Sequence, residues 1–232
     1  MPKKPEKSNA DQVSDPEAFA KLCRKAIAKA IGNEGLGFSL HSRSEGNRTL
    51  YTLSGDGATS AEAKYRYSVI PFQEAQSTKL WLAASLEFEF QKLYRLVNVS
   101  LLIFEGEALD ERKLALLRAE WESPQSNTSA SHAQPHWHIY PSRLNRLISD
   151  TGSEFKPEED VQPFVLEDVQ IDSRNVLSTE LDRLKKFHLA MSARWHVEGS
   201  GSHLEEIQLK YVLKWLEGCL SYIRSQLEYV YS

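Results

Sequence analysis

Between residues 80 and 105 the chain carries two runs in which apolar side chains recur at every second position. In the first, Leu82, Ala84, Leu86, Phe88 and Phe90 alternate with Ser85, Glu87 and Glu89. In the second, 94–105, Val97, Val99, Leu101 and Ile103 fall in register. A period of two sends one set of side chains to one face of a strand, so each run predicts a strand with a buried face. Only Gln91 to Leu93 separate the two runs. That is too short for a parallel crossover, and it commits the pair to an antiparallel hairpin around which the remaining chain must be arranged.

The neighbouring segments extend the same pattern. Phe38–His41 and Leu50–Leu53 predict two short strands around the Ser-Glu-Gly-Asn turn at 44–47, and 63–72 predicts another, with Tyr65, Tyr67 and Val69 on one face. Residues 114–122 alternate Leu117, Ala119 and Trp121 with Arg118, Glu120 and Glu122, and Pro124 follows, which favours strand over helix. A short strand is expected at 136–140, with a helical turn at 142–148. Short connections between consecutive strands imply an antiparallel meander of about six strands.

Helices flank this sheet. Asp15 is placed to cap a helix with Pro16 in its first turn, an apolar stripe of Phe19, Leu22, Cys23, Ala26, Ile27 and Ala30, and a stop at Gly32 and Asn33. Near the other end, Thr179 caps a helix to about Val197, and Ser202 with Glu205 forms a capping box for a helix to about Tyr229. In that last helix Leu209, Leu213, Leu216, Leu220, Ile223, Leu227 and Val230 recur at spacings of four and three, a heptad seam. A second stripe of Ile207, Tyr211, Trp215, Tyr222 and Tyr229 lies beside it. One stripe can pack on the domain's own sheet or on helix 179–197, which would leave the last helix sandwiched between them. Two stripes are more apolar surface than one contact requires, which points to a protein partner, a second copy or another chain, docking on Leu209, Leu213, Leu216, Leu220, Ile223 and Leu227. The expected fold is α+β: an N-terminal helix, the meander and a C-terminal pair of helices. One domain is expected over 14–232 behind a flexible basic arm at 1–13. Its sheet part runs to about 150, an acidic connection covers 150–175, and the helical part covers 176–232.

Charge and composition narrow the functional classes. The chain has 232 residues with 28 Lys+Arg against 32 Asp+Glu, a net charge of −4, which disfavours non-specific nucleic-acid binding. No run of about 18 apolar residues is present and the N-terminus lacks the apolar stretch of a signal peptide, so no membrane span and a cytoplasmic location are expected. Cys23 and Cys219 are too few for a disulfide framework, and Cys23 sits on an apolar helix stripe as a core residue.

Six of the seven histidines lie beyond residue 130. His132, His136 and His138 are the densest group, and on a strand His136 and His138 project to one face, as a metal-binding pair needs. His188 and His196 lie eight residues apart on the expected helix 179–197. With Glu120 or Glu122 as carboxylate ligand or general base, the four histidines 136, 138, 188 and 196 would hold zinc or manganese able to activate water. Against this, Trp137 and Trp195 adjoin the histidines, as in half-buried segments whose imidazoles bond backbone, and no compact ligand motif such as His-Glu-x-x-His is present.

The run Gln134-Pro-His136-Trp-His138-Ile-Tyr-Pro141 resembles the His-x-His-x-His stretch of histidine-triad nucleotide hydrolases, with Gln134 in place of the first histidine. The resemblance covers eight residues and implies His136 as a nucleophile on phosphorus, assisted by His138. No Gly-x-Ser-x-Gly elbow, phosphate-binding glycine loop or dinucleotide fingerprint occurs. Three readings follow, in order of preference. They are a non-catalytic subunit or adaptor docking through its C-terminal helix, a metal-dependent hydrolase of phosphoesters or nucleic acid, and a nucleotide-binding or nucleotide-hydrolysing module.

Overall fold

The computed structural model describes residues 11–32, 38–55, 60–62, 66–75, 78–123, 135–140 and 207–232. Strand β1 (Gln12–Val13) and helix α1 (Pro16–Ala30) are followed by β2 (Ser39–Glu45), β3 (Arg48–Ser54), β4 (Ser60–Glu62), β5 (Arg66–Ser68) and β6 (Ile70–Ala75). The long strands β7 (Thr78–Phe90) and β8 (Tyr94–Glu105) lead to β9 (Leu114–Glu122) and β10 (His136–Ile139), and α2 (Leu209–Tyr231) closes the chain. The molecule is thus α+β, with an antiparallel sheet and a C-terminal helix. The expected helix 179–197, with His188 and His196, lies outside the described residues, as do His132 and the turn at 142–148.

The predicted hairpin is the sheet's spine. β7 and β8 pair antiparallel from Leu80↔Glu105 to Phe90↔Tyr94, and the main sheet runs in the order β10-β9-β8-β7-β3-β2. Both spine strands are long enough to serve two neighbours along one edge. β3 pairs with β7 over Ser85–Glu89 and β6 over Thr78–Leu82. β9 takes most of β8, while β1 takes Tyr94 and Arg95. β4 and β5 form a separate two-stranded sheet, so the expected strand at 63–72 is broken: Val69 falls between β5 and β6. The end of the expected N-terminal arm is strand, held by Asp11, which ion-pairs with Arg95.

Alternation holds along the spine except at one inserted residue. Glu87 pairs with Asn98 but Phe88 with Leu96, so Val97 is a bulge residue. Leu96 turns inward, 0% exposed, in the place expected for Val97. Phe90, expected on the buried face, is 47% exposed at the strand end, where its ring tilts against Tyr94.

One face of the sheet carries α1 and α2. Asp15 caps α1 by accepting from the Ala18 N–H at 2.9 Å, Pro16 opens it, and Gly32 leaves it at φ 69°, a left-handed conformation that costs glycine no steric clash. The buried stripe of α1 is Ala20, Cys23, Ala26 and Ile27, rotated so that Leu22 points outward. α2 begins at Leu209 behind the cap position Gln208, and the expected Ser202–Glu205 box lies outside the described residues. Ile207 just before the cap and Val212 at the fourth helical position are both fully buried, the positions of a hydrophobic staple.

The leucine seam of α2 is consumed inside the molecule. Leu216, Leu220, Ile223 and Leu227 are buried in one cluster with α1 and the inward residues of β7, β8 and β9, and Leu209 and Leu213 pack at its margin. Trp215 stacks obliquely on Trp121 of β9, with ring centres 5.9 Å apart. The Tyr231 hydroxyl donates to Glu105 at 2.7 Å and ties the chain end to β8. Most of the seam therefore packs on the chain's own sheet and α1, the internal one of the two expected readings, while Leu209 and Leu213 stay half-buried at its edge. Both thiols lie in this layer: burial pushes Cys23 up to about 12 and raises Cys219 well above its ordinary value.

Two outcomes test this core. Leu220→Ala should lower the unfolding free energy by about 2–5 kcal/mol in denaturant titration, the range for a truncated core leucine. At mildly alkaline pH both cysteines should react with an aromatic disulfide reagent only as fast as the protein opens, and rapidly once it is unfolded.

Candidate functional site

The sheet face opposite the helices is divided. At one end Val69, Trp81, Ala83, Leu102, Phe104 and Ala115 form a second, smaller apolar cluster. Beside it, register aligns a polar row straight across the sheet. His41 pairs with Thr52, Thr52 with Ser85, Ser85 with Ser100, Ser100 with Glu120, and Glu120 with His136. Directly paired residues share a face, so these six side chains cross β2, β3, β7, β8, β9 and β10 in one line of about 24 Å, five strand spacings of ~4.8 Å. In the adjacent row His138 pairs with Arg118.

Histidine and carboxylate meet at the β9–β10 end of this row. The Nε2 atoms of His136 and His138 are 2.7 Å apart, and Glu120 Oε2 lies 3.8 Å from the first and 3.6 Å from the second. One ligand atom from each of the three lies within 4.8 Å of the others. At 2.7 Å at most one of the two Nε2 atoms can carry a hydrogen between them, and the other then accepts it with its lone pair.

Glu120 is held from behind. It is 8% exposed, accepts from Asn98 Nδ2 at 2.7 Å through Oε1, and meets Arg118 at 2.9 Å through Oε2. Asn98 stands on β8 opposite Glu122, one inward-outward period from Ser100. It was not singled out from the sequence, and only the β8–β9 register reveals its role. The alternation that placed Arg118, Glu120 and Glu122 on one face of β9 is observed.

Of the expected site residues, the structure brings together Glu120, His136 and His138. Glu120 stands among the histidines as a third donor, where the sequence reading offered it also as a base. Glu122 lies two positions along the same strand face and is not one of the three converging groups. His188 and His196 fall outside the described residues, so the fourfold histidine set is not part of the geometry above.

A cavity of about 470 Å³ opens on the same face, lined in part by His41, Arg43, Thr52, Arg66, Ser85 and Ser100. It covers the β2-to-β8 stretch of the polar row, and the histidine cluster begins one strand beyond Ser100.

Comparison with known proteins finds no matching family model, no matching curated protein and no matching solved structure. The eight-residue resemblance at 134–141 has no wider match behind it. Among the described residues no helix is long and apolar enough to cross a membrane.

Glu120→Leu should separate Asn98 and the half-buried Arg118 from their shared acceptor. The expected loss is about 1–3 kcal/mol of stability in denaturant titration, the usual range for orphaned buried donors.

Proposed function

We propose that Glu120, His136 and His138 form a divalent-metal site, and that the protein is a metal-dependent hydrolase. The observation that carries this reading is the convergence of two imidazole nitrogens and one carboxylate oxygen on a single point. Two histidines and a glutamate are the donor set of catalytic zinc sites that leave the fourth position to water. The spacing suits such an ion: with metal–nitrogen distances of 2.0–2.1 Å, tetrahedral donors stand about 3.4 Å apart. The Glu120 oxygen is already near that distance from both rings, at 3.6 and 3.8 Å. The imidazoles, now 2.7 Å apart, need to open by about 0.7 Å, a small side-chain rotation on strand positions. Asn98 and Arg118 supply the outer contacts that fix a metal-binding carboxylate.

A zinc or manganese ion there would supply a water of lowered pKa at its open position. With Glu120 engaged as a ligand, Glu122, two positions along the same strand face, would be the carboxylate to take that water's proton. The adaptor reading drew on surplus apolar surface of the last helix. With that seam packed on the chain's own sheet, the donor cluster is the feature that supports a specific chemistry.

Elemental analysis of untagged protein prepared without chelators tests the site. Near-stoichiometric zinc or manganese is expected, absent from the His136→Ala/His138→Ala double variant. Asn98→Ala should weaken metal affinity by about 10–100-fold, the usual effect of removing an outer-sphere partner, while the fold is kept. A metal-free wild-type protein that also fails to bind added zinc would overturn the reading.

A further inference from the structure

The cavity between β2, β3, β5, β7 and β8 has a chemistry of its own. Its volume of about 470 Å³ falls in the range of small-molecule sites, which begin near ~300 Å³. The chain as a whole is acidic, with a net charge of −4, yet the thirteen lining residues include Arg43, Arg66 and His41; the acidic residues stand just outside the lining, Glu45 3.6 Å from Arg43 and Glu62 opposite Arg66 in the β4–β5 register. Thr52, Ser85 and Ser100 stand in one register row along its floor, each able to donate a hydroxyl hydrogen. Leu50, Ala83 and Leu102 give the same cavity an apolar wall.

We infer that this cavity is a binding site for a small organic phosphate. A guanidinium pairs bidentately with phosphate or carboxylate, so the arginines alone select an anion without choosing between them. The hydroxyl row decides the class. A carboxylate offers two oxygens, which Arg43 and Arg66 would satisfy between them. A phosphate monoester offers three terminal oxygens and leaves an acceptor for Ser85, the middle hydroxyl of the row, and for one of its neighbours Thr52 or Ser100. The apolar wall then receives the organic group. The Arg43 pair with Glu45, 3.6 Å apart with both side chains more than 80% exposed, is the weak surface kind that a bound phosphate displaces. The site stands on cavity, charge and register and does not depend on the metal cluster, which lies beyond Ser100 on β9 and β10.

Calorimetric titration of the full chain with phenyl phosphate, in chelator and again with added zinc, tests this. Saturable binding of one equivalent in chelator is expected. Arg43→Ala and Arg66→Ala should each weaken it about tenfold or more, the loss of a charge-assisted contact. Both positions are solvent-exposed on strands, so the variants keep the fold, which their melting curves will verify. His136→Ala/His138→Ala should bind as the wild type does, which separates this site from the metal reading. Benzoate should bind at least tenfold more weakly, and equal affinity would overturn the phosphate assignment. Absence of saturable binding at millimolar phenyl phosphate would overturn the site. So would binding that survives both arginine substitutions, or binding that needs zinc and vanishes in the histidine double variant, since the anion would then be a metal ligand.

Discussion

The antiparallel pairing of β7 with β8 is the constraint from which the rest of the molecule follows. Thirteen and twelve residues long, the two strands present an inner face of Leu82, Ala84, Leu86 and Phe88 against Val99, Leu101 and Ile103. That face is apolar throughout and has to be covered, and α1 and α2 cover it. Because the spine strands outrun their neighbours, each outer edge is divided between two shorter strands. β3 and β6 share β7, and β9 and β1 share β8. The opposite face is left with an apolar end around Trp81 and Phe104 and a polar remainder where both candidate sites lie.

Two bulges keep those faces consistent. At Val97 the extra residue turns Leu96 inward and leaves Arg95 outward to meet Asp11. On β9, Leu117 pairs with Ile103 but Ala115 with Phe104, so Leu116 is passed over and Ala115 joins the outer apolar cluster. Strict alternation would have driven Arg95 into the helix-covered core, where an unpaired guanidinium is costly. The insertions are thus part of how one hairpin serves two differently populated faces.

What could be read from the sequence divides along the same physical line. The period-two runs of β7, β8 and β9 were legible because half-buried strands write burial into every second residue, and the Asp15 cap because its chemistry is local. The Val97 bulge was not, since Leu96 and Val97 are both apolar and either can turn inward. The start of α2 at Leu209 was not legible, because Ser202 and Glu205 carry the capping spacing while it is buried Ile207 and Val212 that bracket that start. The heptad seam was legible as a seam but not as to its occupant. Spacing reports an apolar stripe and is silent on whether sheet or second chain covers it. The candidate site was half legible: alternation gave Glu120 on one strand and His136 with His138 on another. Their meeting, and the support from Asn98, depends on the β8–β9–β10 register, which no local pattern encodes.

That register is held from the far side of the sheet. His136 and His138 flank Trp137, and alternation sends the indole toward the helices, where it packs against the core with its ring 6.2 Å from Tyr222 of α2. Slipping β10 by one residue would bring Trp137 out and carry both imidazoles to the helix-covered face, away from Glu120. The polar cluster is therefore positioned by an apolar contact: burial of Trp137 under the C-terminal helix fixes which side of β10 the histidines occupy. The same helix whose leucine seam completes the core thereby sets the geometry of the donor groups on the opposite face. Altering the packing of Tyr222 would reach His136 and His138 through the strand without touching either ring.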